Sequence, residues 1–374
     1  MTDFALITRR SFLARAGMAG AALAVLPRIE SAEPSSKPAG ETTLALVGAA
    51  HSHTGGIVNI LKNHKEAKIK YVWDHNAERG NKWANKLGSR FVPDDATIWA
   101  DADVQGVVIF TETSLHRRLA LAAAKARKPL FIEKPLATNG RDAREIAHAI
   151  EQAGVLFTTG YAQRSSPINL FIKSQIEQGH LGTITRVRAS VCHDGVLEGK
   201  AKFDSDYHWF VERKLAGVGG FGDLGTHGLD VLMWMFGDVQ EVSADIKAVV
   251  KRYPDCDECG EGLLRFKSGV TGSLAAGWVD VSNPVSFLVS GTHGHATVFN
   301  NQLYFKSDLV PGADGKQPWT DLPPAPPPPL EQFVLAVEGR TGLPLVTPRE
   351  AADRVCVMEA LYRSSAEHRW LAPR

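Results

Sequence analysis

Hydrophobic positions between Thr42 and Gly160 fall into two alternating textures. Short apolar runs, "TLALVG", "KIKYVWD", "VQGVVIFT", "KPLFIEKP" and "LFTTGY", read as buried strands. Between them, "GIVNILKNH", "AERGNKWANKLG", "HRRLALAAAKAR" and "DAREIAHAIEQAG" carry helical periodicity, the last with a glycine stop. Strand–helix alternation at this spacing predicts an α/β fold, with a parallel sheet and helices on both faces.

After Gly160 the pattern changes. "INLFIKSQIEQGHLG" reads as a helix, "TITRVRASVCHDG" as a long alternating strand, and Leu224–Phe236 as a second helix. Five further strand-like runs follow up to "HATVFNN", which predicts a second α/β domain with a largely antiparallel open sheet. "LPPAPPPPL" must be extended. Two helical segments then return to close the structure. The expected division is residues 1–32 a signal, 33–41 a linker, 42–160 a dinucleotide-type domain and 161–374 a substrate and oligomerisation domain.

The N-terminal segment has its own logic. Arg9 and Arg10, then Phe12 and Leu13, precede a short apolar stretch of small residues ending at Leu26. This order reads as a twin-arginine export signal, addressed to the export machinery, with Ala32 a candidate end. It places the mature protein in the periplasm or outside the cell, and predicts that any nicotinamide cofactor travels tightly held. Apart from it, the 374 residues, 44% hydrophobic and 22% charged with net charge +1, are of ordinary globular composition. That balance excludes nucleic acid as an expected partner, and no apolar run is long enough for a membrane span. Cys256 and Cys259 form C-x-x-C, either a loop disulfide or two thiols.

The first turn, "GAAHSH", departs from the dinucleotide fingerprint G-x-G-x-x-G. Gly48 keeps the tight turn, Ala50 replaces the second glycine and His53 the third, with His51 and Ser52 between them. Asp74, ending the second strand, is the acidic group expected to accept from a ribose 2′-hydroxyl and to favour NAD over NADP. Glu112 in "TET" adds an unexpected charge near the cofactor. His51 and His53 also form an H-x-H pair, which would need His75 or His116 as a third ligand to hold a metal; no metal is expected.

Chemistry concentrates in two places. Glu133, Lys134 and Pro135 end a parallel strand, the edge where ligands bind. Asp223 and His227 lie four residues apart at a helix start after a glycine run, so they share one face. A carboxylate beside an imidazole is a usual arrangement for a general base.

Taken together, the E-K-P strand end, the D-x-x-x-H pair after glycines, "VVIFTETSLHRRLALAAAKARKPLFIEKPLA" and "GYAQRSSP" resemble the Gfo/Idh/MocA oxidoreductases, the glucose–fructose oxidoreductase and inositol dehydrogenase group. The resemblance implies a Rossmann domain plus an α/β domain whose open sheet serves homo-oligomer contacts. It implies that Lys134 binds the reacting hydroxyl of a sugar or polyol, that His227 moves its proton, and that Asp223 orients the histidine or holds the sugar. Gly48, Ala50, His51, Ser52, His53, Asp74, Thr111, His116, Glu133 and Lys134 would hold NAD, while Tyr161 and Arg164 would line the substrate side. A redox-neutral glycosidase using bound NAD is an alternative; the same lysine, histidine and cofactor would suffice for it, and an extra base, for which Tyr161 and His208 are candidates, would distinguish it. A non-catalytic sugar binder is the other alternative.

Overall fold

The computed structural model describes residues 41–200 and 202–374. The segment expected to be an export signal, and all but the last residue of the expected linker, lie outside the described residues.

Six parallel strands form the first sheet: β1 (Thr42–Val47), β2 (Ala67–Trp73), β3 (Arg90–Phe91), β4 (Gly106–Ile109), β5 (Leu130–Ile132) and β6 (Phe157–Thr159). Their order is β3-β2-β1-β4-β5-β6. β1, β4, β5 and β6 are buried along their whole length, because helices cover both faces. The order reverses between β1 and β4, and a crevice opens there at the carboxyl edge. β3 has two residues, too short to leave a periodicity in the sequence.

The second sheet has seven strands: β7 (Ile184–Cys192), β8 (Val239–Lys247), β9 (Cys259–Phe266), β10 (Thr271–Gly277), β11 (Val285–Gly291), β12 (Gly294–Phe299) and β13 (Gln302–Ser307). Their order is β13-β12-β11-β7-β10-β9-β8, antiparallel except where β10 runs beside β7. β13 is unannounced in the sequence pattern. It is created by Asn300 and Asn301, whose φ values of 46° and 61° make the tight hairpin that asparagine tolerates.

The helix Gly220–Phe236 packs its apolar face on the second sheet through Phe221, Leu229 and Leu232 against Leu264 and Leu274. It begins four residues earlier than the sequence suggests. Its glycines look like helix breakers but permit close packing: a Cβ on Gly220 would lie 2.4 Å from the Glu258 carbonyl oxygen.

The domain boundary is not a single cut. The helix Pro329–Val337 places Phe333 and Val334 in the core under β1, with Leu44, Val108 and Phe131. The helix Pro348–Glu367, started by a Thr347/Glu350 capping box, packs Ala351 and Val355 against the helix Gly140–Ala153. These two C-terminal helices thus complete the first domain. No helix among the described residues is long and apolar enough to cross a membrane. All four cysteines, Cys192, Cys256, Cys259 and Cys356, are free thiols.

Candidate active site

β5 ends at Ile132 and delivers Glu133 and Lys134 to the carboxyl edge, where the Lys134–Pro135 peptide is cis. Asp223 arrives from the first turn of the helix Gly220–Phe236. Lys134 Nζ donates to Asp223 Oδ1 at 2.9 Å, and both residues are buried. Asp223 Oδ2 accepts from Trp278 Nε1 at 3.3 Å. Burial alone would raise the Asp223 pKa. The Lys134 ammonium overcomes it and holds the carboxyl well below the usual range.

This corrects the first of the two roles expected for Asp223, orienting the histidine. Its oxygens serve Lys134 and Trp278, not the imidazole of His227. Trp278 carries no sequence signal of its role, since a tryptophan ending a strand reads as core.

His227 lies one turn beyond Asp223 and lines a cavity of about 590 Å³ together with His53, Glu133, Gly160 and Gln163. Burial, then the nearby Lys134 ammonium, lowers its pKa to about 3 against the opposing pull of Asp223. At neutral pH the ring is therefore an uncharged proton acceptor. Tyr161 packs perpendicular to it, ring centroids 6.5 Å apart.

Tyr161 and Arg164, expected on the substrate side, and His208, the other candidate base and substrate contact, are engaged elsewhere. The Tyr161 hydroxyl bonds Thr226 Oγ1 at 3.1 Å, and burial raises its pKa. Arg164 forms a buried fork onto Asp230, which also accepts from Arg354, and Arg164 Nη1 reaches Glu350. Two cations and two carboxylates thus make a balanced structural network. His208 is exposed, donates Nδ1 to the Phe203 carbonyl at 3.0 Å and lies against Tyr253.

The first turn also departs from expectation. Gly48 has φ +81°, and a Cβ there would stand 2.1 Å from Thr111 Cγ2, so the tight turn needs glycine. The next residues form a short 3₁₀ turn, Ser52–Gly55, and the helix starts only at Gly56. His53 therefore does not sit in a helix–strand contact. Gly55 and Gly56 do not take over the third glycine's role, since a Cβ on either meets nothing within 4 Å. Ala50 is buried, and its carbonyl accepts from Trp209 Nε1 at 3.2 Å. His51 is buried beside Phe110, Trp209 and Phe210.

Asp74 is already saturated. Its oxygens accept from the Ala49 and Asn76 amides and from two nitrogens of Arg79. Arg79 also donates to Glu112 at 3.0 Å, and His75 contacts the other Glu112 oxygen at 2.9 Å. Glu112 is therefore compensated rather than adverse. Arg79, held between two carboxylates, leaves no free guanidinium for a 2′-phosphate. His116 donates Nδ1 to the Pro135 and Leu136 carbonyls and braces the turn after Lys134.

Residues 42–161 match the family model for the oxidoreductase family with NAD-binding Rossmann fold. Residues 170–297 match that for the GFO/IDH/MocA C-terminal domain. The chain belongs to the Gfo/Idh/MocA family. Within this family it is 27% identical over 270 residues to levoglucosan dehydrogenase of Pseudarthrobacter phenanthrenivorans, covering 64% of this chain and 68% of the relative. It is 29% identical over 262 residues to 1,5-anhydro-D-fructose reductase of Ensifer adhaerens, covering 68% and 72%. The WlbA dehydrogenase from Bordetella pertussis, solved with NADH and UDP-GlcNAcA, shares the fold: TM-score 0.75 at 21% identity, covering 89% of this chain and 98% of that one.

The NAD-binding domain of a Gfo/Idh/MocA protein implies a dinucleotide, and the residues present fit it. A pocket of about 330 Å³ follows the first turn, lined by Ala50, Ser52, Arg79, Lys82, Trp83 and Lys86. Lys82 and Lys86 suit a diphosphate and the indole suits a base, while Arg79 stays committed to Asp74 and Glu112 and the acidic Glu78 and Asp206 also line the pocket. Buried polar atoms without partners gather at the carboxyl edge: Thr111 Oγ1, His116 Nε2 and Thr159 Oγ1. Such atoms are normally satisfied, so this edge is built to meet a polar group. Ser52, Lys82 and Lys86 would hold the diphosphate, and Thr111 and Lys134 the nicotinamide end.

Proposed function

We propose that the protein is an exported dehydrogenase of a sugar or polyol that holds NAD tightly. The observation that carries this reading is the buried Lys134–Asp223 pair beside the neutral His227 at the sheet edge. NAD, when bound, supplies the hydride acceptor. Lys134 donates to the reacting hydroxyl and favours its alkoxide, Asp223 and Trp278 fix the ammonium, and His227 accepts the proton. With a pKa near 3, His227 relays that proton to solvent through the cavity rather than storing it.

The names of the dehydrogenase and reductase relatives support a carbohydrate substrate. The twin-arginine pattern supports export, and with it a cofactor regenerated in place by reduction of a second carbonyl compound. The open face of the second sheet, with Leu263 48% and Val285 43% exposed, suits contact with a second copy of this chain.

A further base would distinguish redox-neutral glycoside cleavage from simple oxidation. Tyr161 and His208 are both bonded outside the cavity, so the dehydrogenase reading leads. A binder without chemistry has no use for a buried Lys134–Asp223 pair.

The test is a panel of sugars, polyols and aryl glycosides, followed by absorbance of reduced nicotinamide and by aglycone release. Reduction of the cofactor by a sugar or polyol supports the dehydrogenase. Aglycone release without net reduction supports the glycosidase, and neither supports the binder.

A further inference from the structure

The altered first turn brings two imidazoles, His51 and His53, to a buried carboxylate. One ring nitrogen of His51, one of His53 and one oxygen of Glu133 lie within 4.8 Å of one another. His51 and Glu133 are each 3% exposed, whereas the His53 side chain is 51% exposed and lines the cavity. The third member of the H-x-H set is thus Glu133. His75 and His116, the partners considered from the sequence, face Glu112 and the Pro135 carbonyl instead.

Two independent features leave this cluster incomplete. His51 Nδ1 receives only a 3.2 Å bond from the His53 amide, and its Nε2 has no partner. A buried imidazole nitrogen without a partner is costly. The second feature is charge. The Lys134 ammonium is committed to Asp223. His51 accepts from an amide on one nitrogen and is therefore neutral; ligation through Nε2 would move its proton to Nδ1 and give up that long 3.2 Å bond. Glu133 is left with its neighbour's amide at 3.0 Å and the half-exposed His53 ring at 3.1 Å. The half-exposed His53 ring is thus the one group in direct contact that can balance this buried carboxylate, with the Lys134 ammonium acting only at a distance.

We propose that His51, His53 and Glu133 form a binding site for a divalent transition-metal ion of the zinc class. Ligand atoms about 2.1 Å from such an ion stand roughly 3.4 Å apart in a tetrahedral shell. The half-exposed His53 ring is free to close the remaining gap. Two imidazoles and one carboxylate suit zinc, cobalt or iron(II) rather than calcium or magnesium. Three protein ligands leave a position open for water or a substrate oxygen. That position belongs to the cavity that His227 lines, so the ion would act on the same substrate as Lys134. The site goes beyond the dehydrogenase reading and is tested without nucleotide or sugar.

The untagged full chain, stripped with a chelator, is titrated with Zn²⁺ alone by calorimetry and with Co²⁺ alone by visible absorption. One ion per chain is expected, with a Co²⁺ spectrum of low coordination number. His53→Ala and Glu133→Gln are expected to weaken binding about 100-fold or more, with unfolding transitions kept. His75→Ala, outside the cluster, keeps the ion. Absence of stoichiometric binding to the folded chain overturns the proposal. So does an ion bound with unchanged affinity in both His53→Ala and Glu133→Gln.

Discussion

Lys134 and Asp223, 89 residues apart in sequence, meet as a buried ion pair at 2.9 Å where the two domains face each other. The pair decides which group is poised for chemistry. With Asp223 committed to the ammonium, burial and then the Lys134 charge keep His227 neutral.

Lys134→Met is expected to lower kcat/KM by about 100-fold or more, the scale of a removed charge-stabilising donor. It also strands the Asp223 carboxylate, at a cost of about 3–5 kcal/mol. The double variant Lys134→Met with Asp223→Asn should recover thermal stability without recovering rate. Recovery of rate in the double variant would show that Lys134 acts only structurally.

Stability should fall on acidification, starting near pH 6.5. Burial, first among causes, holds His51 and His227 neutral, with pKa values near 3 against 6.5 in the unfolded chain. The unfolded chain therefore binds more protons between pH 6.5 and 3. Each histidine removes about 1.4 kcal/mol per pH unit through that window. The lowered Asp223 adds in the same direction below the ordinary carboxylate range. Thermal unfolding between pH 8 and 5 checks this, and an unchanged midpoint over that range contradicts it.

Asp230→Asn should cost about 3–5 kcal/mol, because it leaves Arg164 and Arg354 facing each other without their shared carboxylate. Denaturant unfolding gives the number. Arg164→Lys should likewise reduce stability more than KM. A raised KM at wild-type stability would return Arg164 to the substrate side.

Gly48→Ala should destabilise by about 1–2 kcal/mol from its left-handed conformation alone, with more from the clash with Thr111. The unfolding midpoint reads this, and an unchanged midpoint contradicts the tight-turn assignment.

Much of the fold was legible because its physics is local. β1, β4 and β5 are apolar runs buried on both faces, and Gly48, Gly88 and Gly154 end elements where a left-handed residue is needed. Lys134, Asp223 and His227 were legible as motifs. Their pairing was not, because spacing on one helix put Asp223 beside His227, while the fold supplied a stronger partner from another strand. Arg164 with Asp230, Glu133 with His53 and Trp278 with Asp223 are long-range contacts that leave no periodic trace. The engagement of Asp74 by Arg79 lay within five residues, but the family expectation of a ribose contact masked it.

The account rests on a nucleotide held in the cleft between β1 and β4. The most direct measurement denatures the protein, purified without added cofactor, and identifies any released nucleotide by mass spectrometry. Near-stoichiometric NAD or NADH is the predicted result. No released nucleotide, together with no binding of added NAD to the folded protein, would contradict the account.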